Sequence, residues 1–117
     1  MQISKQQIAE SFSLGNFEST FPYLSNEIKW NIVGEQKIEG KDALVQHCEQ
    51  VASYFNSVST EFTTIHVITD KEMVCATGTA EFKRDGKRVN FVSACDVYQF
   101  NAEGMIQEIT SYCIADK

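Results

Sequence analysis

The apolar residues in the first half of the chain follow the periods of helices with one strand between them. Ile8 and Phe12 recur at the 3.6-residue spacing of a helix, whereas Ile28, Trp30 and Ile32 alternate with polar residues, as in a half-buried strand. The predicted elements are a helix over residues 3–14, a short helical piece over 17–24, a strand over 27–33, a connection over 34–40 and a helix over 41–55.

From residue 58 onward the chain is rich in β-branched and aromatic residues, a composition that is typical of strands. The predicted strands cover residues 60–69, 73–84, 88–100 and 105–114. Polar turns separate them, and the Asp85-Gly86 pair is a strong hairpin signal. Three such turns in succession predict an antiparallel meander.

This element order predicts a single α+β domain over residues 1–117, with the helices grouped against an antiparallel sheet. A long, strongly twisted sheet with one apolar face curls around the helices that cover it. We therefore expect a cone-shaped α+β barrel, in which the curled sheet wraps around the N-terminal helices. The open end of such a cone is a natural site for a small molecule.

The formal charge of −6 and the pI of about 4.8 argue against a nucleic-acid partner, which requires a basic face. The sequence has no apolar run that approaches the roughly 18 residues of a membrane-spanning helix. The polar N-terminus also lacks the apolar stretch of a secretory signal. We expect a cytoplasmic protein without a membrane partner.

The spacing of Cys48, Cys75, Cys95 and Cys113 matches neither a zinc-binding pair nor a compact disulfide framework. In a cytoplasmic protein these residues are expected to be reduced, small, buried side chains. Convergent histidine and acidic residues that would hold a metal are not evident in the sequence. The sequence therefore predicts no metal and no cofactor.

Three segments of the chain resemble the nuclear transport factor 2-like superfamily, which includes ketosteroid isomerase and the SnoaL-like polyketide cyclases. They are Leu14-Gly15-Asn16-Phe17 running into Tyr23-Leu24-Ser25-Asn26-Glu27-Ile28-Lys29-Trp30, then Ile38-Glu39-Gly40-Lys41-Asp42-Ala43-Leu44, and Asp96-Val97-Tyr98-Gln99-Phe100-Asn101-Ala102-Glu103-Gly104-Met105-Ile106. Their order and spacing cover nearly the whole chain. The resemblance implies the cystatin-like or ketosteroid-isomerase-like α+β barrel, a fold that hosts many functions.

The resemblance also indicates which reactions the chain lacks the residues for. In ketosteroid isomerase a carboxylate abstracts a proton beside a carbonyl, while a Tyr and a protonated Asp bind the oxyanion. The protonated Asp corresponds to Asp96, but the base corresponds to Ile32 and the Tyr to Ile8. The Asp-Arg-Asp set of the limonene-epoxide hydrolase branch also looks absent, because Arg84 and Arg88 flank a hairpin turn.

Asp96 and His47 are the candidate catalytic residues. If Asp96 points inward, strand alternation turns Val92 and Ala94 inward with it, and a carboxyl among apolar neighbours tends to have a raised pKa. His47 lies on a predicted stripe of the helix over 41–55 and is suited to act as a general base or to orient Asp96. For each residue the alternative is a structural role, as a hydrogen-bonded Asp and as a core His. The predicted helix stripe consists of Ala43, Leu44, His47, Val51 and Tyr54.

A set of mainly apolar and aromatic residues is predicted to line the pocket. The candidate ligand-binding residues are Trp30, Ile32, Tyr54, Phe82, Tyr98, Ile109 and Ser111. Three functions remain open: an isomerase- or cyclase-type acid–base enzyme acting on a hydrophobic, carbonyl-bearing substrate, a binding module for a small apolar ligand, and a protein-interaction domain whose pocket is filled.

The outer face of the late strands is predicted to mediate a homodimer, because its residues carry few charges. They are Phe91, Ser93, Cys95 and Val97 on one strand and Cys75, Thr77 and Thr79 on another. The expected partners are therefore a small hydrophobic molecule and a second copy of the chain.

Overall fold

Ser4 caps the first helix, α1 (Lys5–Ser13), in the computed structural model of the protein, which describes residues 4–116. The Ser4 hydroxyl accepts a hydrogen bond from the backbone N–H of Gln7, and the Gln7 side chain accepts one from the backbone N–H of Ser4. The predicted face of this helix is confirmed, because Ile8 and Phe12 are buried. Residues 1–3, which include the start of the predicted helix over 3–14, and residue 117 of the predicted domain lie outside the described residues.

The remaining elements follow the predicted order with one addition. They are a 3₁₀-helix (Glu18–Tyr23), β1 (Leu24–Ile32), β2 (Gln36–Glu39), α2 (Lys41–Ser57), β3 (Ser59–Asp70), β4 (Met73–Arg84), β5 (Lys87–Phe100) and β6 (Ile106–Ala115). The interpretation of residues 34–40 as a plain connection was wrong, because β2 pairs with β1 there. Four residues with a single buried side chain, Ile38, are too few to show a period of two.

The six strands form one sheet in the order β2-β1-β6-β5-β4-β3. The meander from β3 to β6 is antiparallel as predicted, but β1 lies parallel to β6, so the sheet is mixed. A short turn can join two consecutive strands only in the antiparallel direction. No hairpin joins β1 to β6, so packing of the whole sheet brings these two strands together. The α+β class and the curled sheet are confirmed. The sheet stays open, with β2 and β3 at its edges.

Gly78 allows β3 and β4 to approach closely beside an irregularity in β3. A Cβ atom at this position would lie 2.4 Å from the backbone oxygen of Thr63. The pairing of β3 with β4 shifts register between Thr64 and His66, as happens at a β-bulge. Bulges bend a strand and increase its twist, which favours curling of the sheet at this point.

Both helices pack on the concave face of the sheet. The buried side of α2 is formed by Leu44 and Cys48, and Phe55 packs against the same core. The predicted stripe was partly wrong, because Ala43 is exposed and Tyr54 is 44% exposed. Among the described residues, no helix is both long and apolar enough to cross a bilayer.

Candidate functional site

A cavity of about 400 Å³ lies between the two helices and the concave face of the sheet. Its walls are mainly aromatic, and the rings are Phe12, Phe17, Trp30, Tyr54, Phe55, Phe62 and Phe82. Phe55 stacks on Phe17 and Phe82 at centroid distances of 6.2 and 5.6 Å, which builds a continuous wall. A volume of this size is typical of small-molecule sites.

Asp96 brings a carboxyl group into this apolar cavity. It lies on β5, where alternation turns it inward together with Val92 and Ala94, and all three residues line the cavity. The predicted facing of the strand is therefore observed. The Ser13 hydroxyl, at the end of α1, donates a hydrogen bond to Asp96 Oδ2 at 2.8 Å.

A second hydroxyl faces Asp96 from the neighbouring strand. Ser111 on β6 stands directly opposite Asp96 in the strand pairing and lines the same cavity. The indole Nε1–H of Trp30 donates to Ser111 Oγ at 2.9 Å. On the other side, the hydroxyls of Ser13 and Tyr98 are 2.5 Å apart. Ser13 thus holds the carboxyl group through a hydrogen bond, and a second serine, itself bound by Trp30, stands opposite it.

Burial raises the pKa of Asp96, because removal from water disfavours the charged form. The nearby hydroxyls of Ser111 and Ser13 act in the opposite direction, since they favour the carboxylate. Burial is the larger influence. A carboxyl group of raised pKa in a cavity can exchange a proton with a bound molecule closer to neutral pH than an exposed Asp can.

His47 lines the same cavity from α2, so the structure brings the two candidate catalytic residues to one site. Its ring meets the Trp30 ring edge-on, with centroids 5.4 Å apart. Within residues 4–116, His47 and Asp96 form no direct hydrogen bond. His47 is therefore placed to contact a bound molecule at a separate point, and the geometry does not make it an orienting partner of Asp96.

Five of the seven predicted ligand-binding residues line the cavity, and two do not. The five are Trp30, Ile32, Tyr54, Phe82 and Ser111. Tyr98 and Ile109 also lie on the inner face of the sheet, but both are completely buried and neither borders the cavity. Tyr98 is covered by α1, where its ring lies 5.9 Å from that of Phe12. Among residues 4–116, the Tyr98 hydroxyl contacts only that of Ser13.

Ser13 is the polar residue in contact with Asp96 that the sequence reasoning missed. Its position at the end of an amphipathic helix indicates a helix terminus, not a pocket. Only the packing of α1 across β5 brings its hydroxyl to Asp96, 83 residues away in the sequence. Glu35, Gln36 and Asn90 also line the cavity without having been predicted.

Neither arginine belongs to the cavity. Arg88 pairs with Glu81 on the adjacent strand, and Arg84 ends β4 in the hairpin. Among the residues that the structure describes, no lysine or arginine lines the cavity. The Asp-Arg-Asp set of epoxide hydrolases is thus not assembled here.

The cysteines are all free, but the expectation that they are buried holds fully only for Cys48. Burial raises the pKa of its thiol to about 12. Cys75 and Cys95 are half-buried on the outer face of the sheet, with sulfur atoms 3.6 Å apart, and Cys113 is exposed. Within the described part of the chain, no three His, Cys, Asp or Glu residues are arranged to hold a metal ion.

Comparison with known families gives a match to the SnoaL-like domain over residues 6–109. That range contains α2, five complete strands and all of α1 but its first residue, together with Ser13, His47 and Asp96. No curated protein sequence matches the chain.

Solved structures share the fold over nearly the whole chain. An NTF2-like protein of unknown function from Cytophaga hutchinsonii is 32% identical, with a TM-score of 0.82, over 92% of this chain and 93% of that protein. An LEH-like epoxide hydrolase from M. tuberculosis is 18% identical, with a TM-score of 0.70, over 94% and 82% of the two chains. SalBIII, an epoxide hydrolase/cyclase-like enzyme of pyran ring formation in salinomycin, is 17% identical, with a TM-score of 0.71, over 94% and 90%. At these lower identities the last two show the fold alone.

Proposed function

Because the chain belongs to the SnoaL-like domain family, we propose that it is a small acid–base enzyme of the isomerase or cyclase type. Its substrate is a mostly apolar, carbonyl-bearing molecule that enters the aromatic cavity. Asp96 takes a proton from this molecule, and His47 hydrogen-bonds the carbonyl oxygen and supplies a proton to it. The observation that carries the proposal is a carboxyl group held by a serine hydroxyl inside an apolar cavity.

The surroundings of Asp96 suit a general base. Ser13 fixes the orientation of the carboxyl group, and the aromatic walls keep bulk water away from it. A base that is desolvated and has a raised pKa removes protons more effectively than a hydrated one. General base catalysis of this kind contributes about 10²- to 10⁴-fold to a rate.

The proposal is tested with 5-nitrobenzisoxazole, a small apolar compound that reports on any positioned base. A base removes its ring C–H proton, the C–H electron pair forms a nitrile, and the N–O bond breaks to give a coloured phenolate. We expect turnover by the wild-type protein and a loss of about 100-fold in kcat/KM for Asp96→Asn. Asp85→Asn is the matched control, because it removes a carboxylate in the remote β4–β5 turn at a positive φ that Asn tolerates.

His47 is tested separately through hydrogen exchange in 4-phenylbutan-2-one. Removal of a proton beside the carbonyl and its return from D₂O replace hydrogen by deuterium, which NMR detects. We expect His47→Gln to slow this exchange while leaving the 5-nitrobenzisoxazole reaction within about threefold, since that reaction has no carbonyl oxygen to protonate. Equal losses in both reactions would contradict the separate role of His47.

Binding without reaction is the second candidate function. It is favoured by Ile32, an apolar residue that lines the cavity at the position where the isomerase resemblance implies the base. A binding module would show an increase in melting temperature with apolar ligands and no turnover of either probe. The third alternative requires a filled pocket, whereas the cavity of about 400 Å³ is open.

A further inference from the structure

The hydrogen bond between Trp30 and Ser111 has only one direction. An indole N–H can donate but not accept, so the oxygen of Ser111 is the acceptor in the 2.9 Å contact. The single hydroxyl proton of Ser111 is then free to point at Asp96, its opposite neighbour in the strand pairing. This arm of the network therefore presents a free hydroxyl donor beside the carboxyl group.

The contact between Tyr98 and Ser13 has a preferred direction for a different reason. Tyr98 is completely buried, and Ser13 is the only hydrogen-bond partner of its hydroxyl among residues 4–116. If Ser13 donated to Tyr98, the Tyr98 proton would be buried without an acceptor, which costs about 1–3 kcal/mol. Tyr98 therefore donates to Ser13, and Ser13 passes its own proton toward Asp96.

Ser13 thus donates to Asp96, Ser111 stands opposite it, and no cation in the described residues pairs with it. The ion pairs found there join Lys5 to Glu72 and Lys83 and Arg88 to Glu81. A carboxylate offers about four lone-pair sites, of which the two serines can occupy at most two. The remaining lone pairs are available to a molecule in the cavity.

From this arrangement we propose that the inner end of the cavity selects an apolar molecule that carries a hydroxyl group, with Asp96 accepting its hydrogen bond. The inference rests on the proposed function and adds a hydroxyl group to the substrate, in addition to the C–H proton that Asp96 takes. An ether or carbonyl oxygen in the same place would face the lone pairs of Asp96 without a proton between them. Such a molecule is bound less tightly, because two acceptors repel each other.

The test compares 4-phenylbutan-1-ol with its methyl ether, in which a methyl group replaces the hydroxyl proton. Trp30 is the single tryptophan of the sequence and lines the cavity, so its fluorescence reports binding of both. We expect the alcohol to bind the wild-type protein about 10-fold more tightly than the ether, as for a hydrogen bond to a charged group. Equal affinities would overturn the proposal.

Asp96→Asn tests whether the preference comes from the carboxylate. An amide can donate as well as accept, so we expect the preference for the alcohol to fall below about threefold while the affinity for the ether is retained. Asp85→Asn is the surface control and keeps the full preference. A preference that survives in Asp96→Asn would refute the assignment.

A pH titration of the wild-type protein tests the proposal even if Asp96→Asn does not fold. The preference for the alcohol is expected to decrease as the pH falls through the raised pKa of Asp96, with the ether measured at each pH as the reference. His47, Glu35 and Cys113 also line the cavity, so the decrease is assigned to Asp96 only where His47→Gln shows it as well. A preference that does not change with pH would count against Asp96. Turnover of 5-nitrobenzisoxazole without a preference for the alcohol would refute this inference and leave the proposed function standing.

Discussion

The contact between Ser13 and Tyr98 leads to a sharp prediction about stability. Ser13→Ala removes a hydrogen bond to a carboxylate, worth about 1.5 kcal/mol, and leaves the buried Tyr98 hydroxyl without its partner, which costs about 2 kcal/mol more. Tyr98→Phe removes both the hydroxyl and its need for a partner, so we expect a loss of about 1 kcal/mol. The double variant loses the Ser13–Asp96 bond and the Ser13–Tyr98 bond but buries no orphaned hydroxyl.

We therefore expect the double variant to lose about 2.5 kcal/mol, less than Ser13→Ala alone at about 3.5 kcal/mol. The assay is urea unfolding of the four proteins followed by circular dichroism, which does not depend on the fluorescence of Trp30 near the site. A coupling energy of about 2 kcal/mol is well above the additivity error of roughly 0.5 kcal/mol for independent sites. If the double variant loses the sum of the two single losses, about 4.5 kcal/mol, Tyr98 does not depend on Ser13 for its hydrogen bond.

Two further predictions concern pH and self-association. Burial raises the pKa of Asp96 in the folded state, so protonation of Asp96 favours folding, and the wild-type protein loses this contribution as the pH rises through the folded pKa. We therefore expect the unfolding free energy of Asp96→Asn to increase relative to that of the wild-type protein from acid to neutral pH. A difference in unfolding free energy between the two proteins that stays constant across that range would contradict this prediction. We also propose that the outer face forms a homodimer, so that light scattering gives a mass of about 26 kDa, twice the 13.2 kDa of the chain. Tyr112→Glu, at an exposed position on that face, should give monomers, whereas a wild-type monomer would refute the interface.

The α+β fold was predictable because its signals are local. The periods of Ile8 with Phe12 and of Ile28 with Trp30 depend only on which face of an element meets the core. Turn signals such as Asp85-Gly86 depend only on backbone preferences, and this turn has positive φ at both residues. The pairing of β1 with β6 was not predictable in the same way, since no turn joins these strands and their contact is decided by the packing of the whole sheet.

The candidate site also has a part that local sequence signals predict and a part that depends on packing. Strand alternation was enough to turn Asp96 and Ser111 inward, and the helical period brought His47 near the cavity. The exposure of Tyr54 and Ala43 was missed because apolar spacing does not determine the rotation of α2 once it packs on a curved sheet.

The sequence by itself determined the elements other than β2, the curled sheet and the presence of a carboxyl group on its inner face, because each follows from residues close together in the chain. Only the tertiary structure decided what surrounds that carboxyl group. It placed the end of α1 over β5, which joined Ser13 to Asp96 and Tyr98 and withdrew Tyr98 from the cavity wall. A hydrogen bond between residues 83 positions apart has no local sequence signal, since it exists only when helix and sheet are packed together.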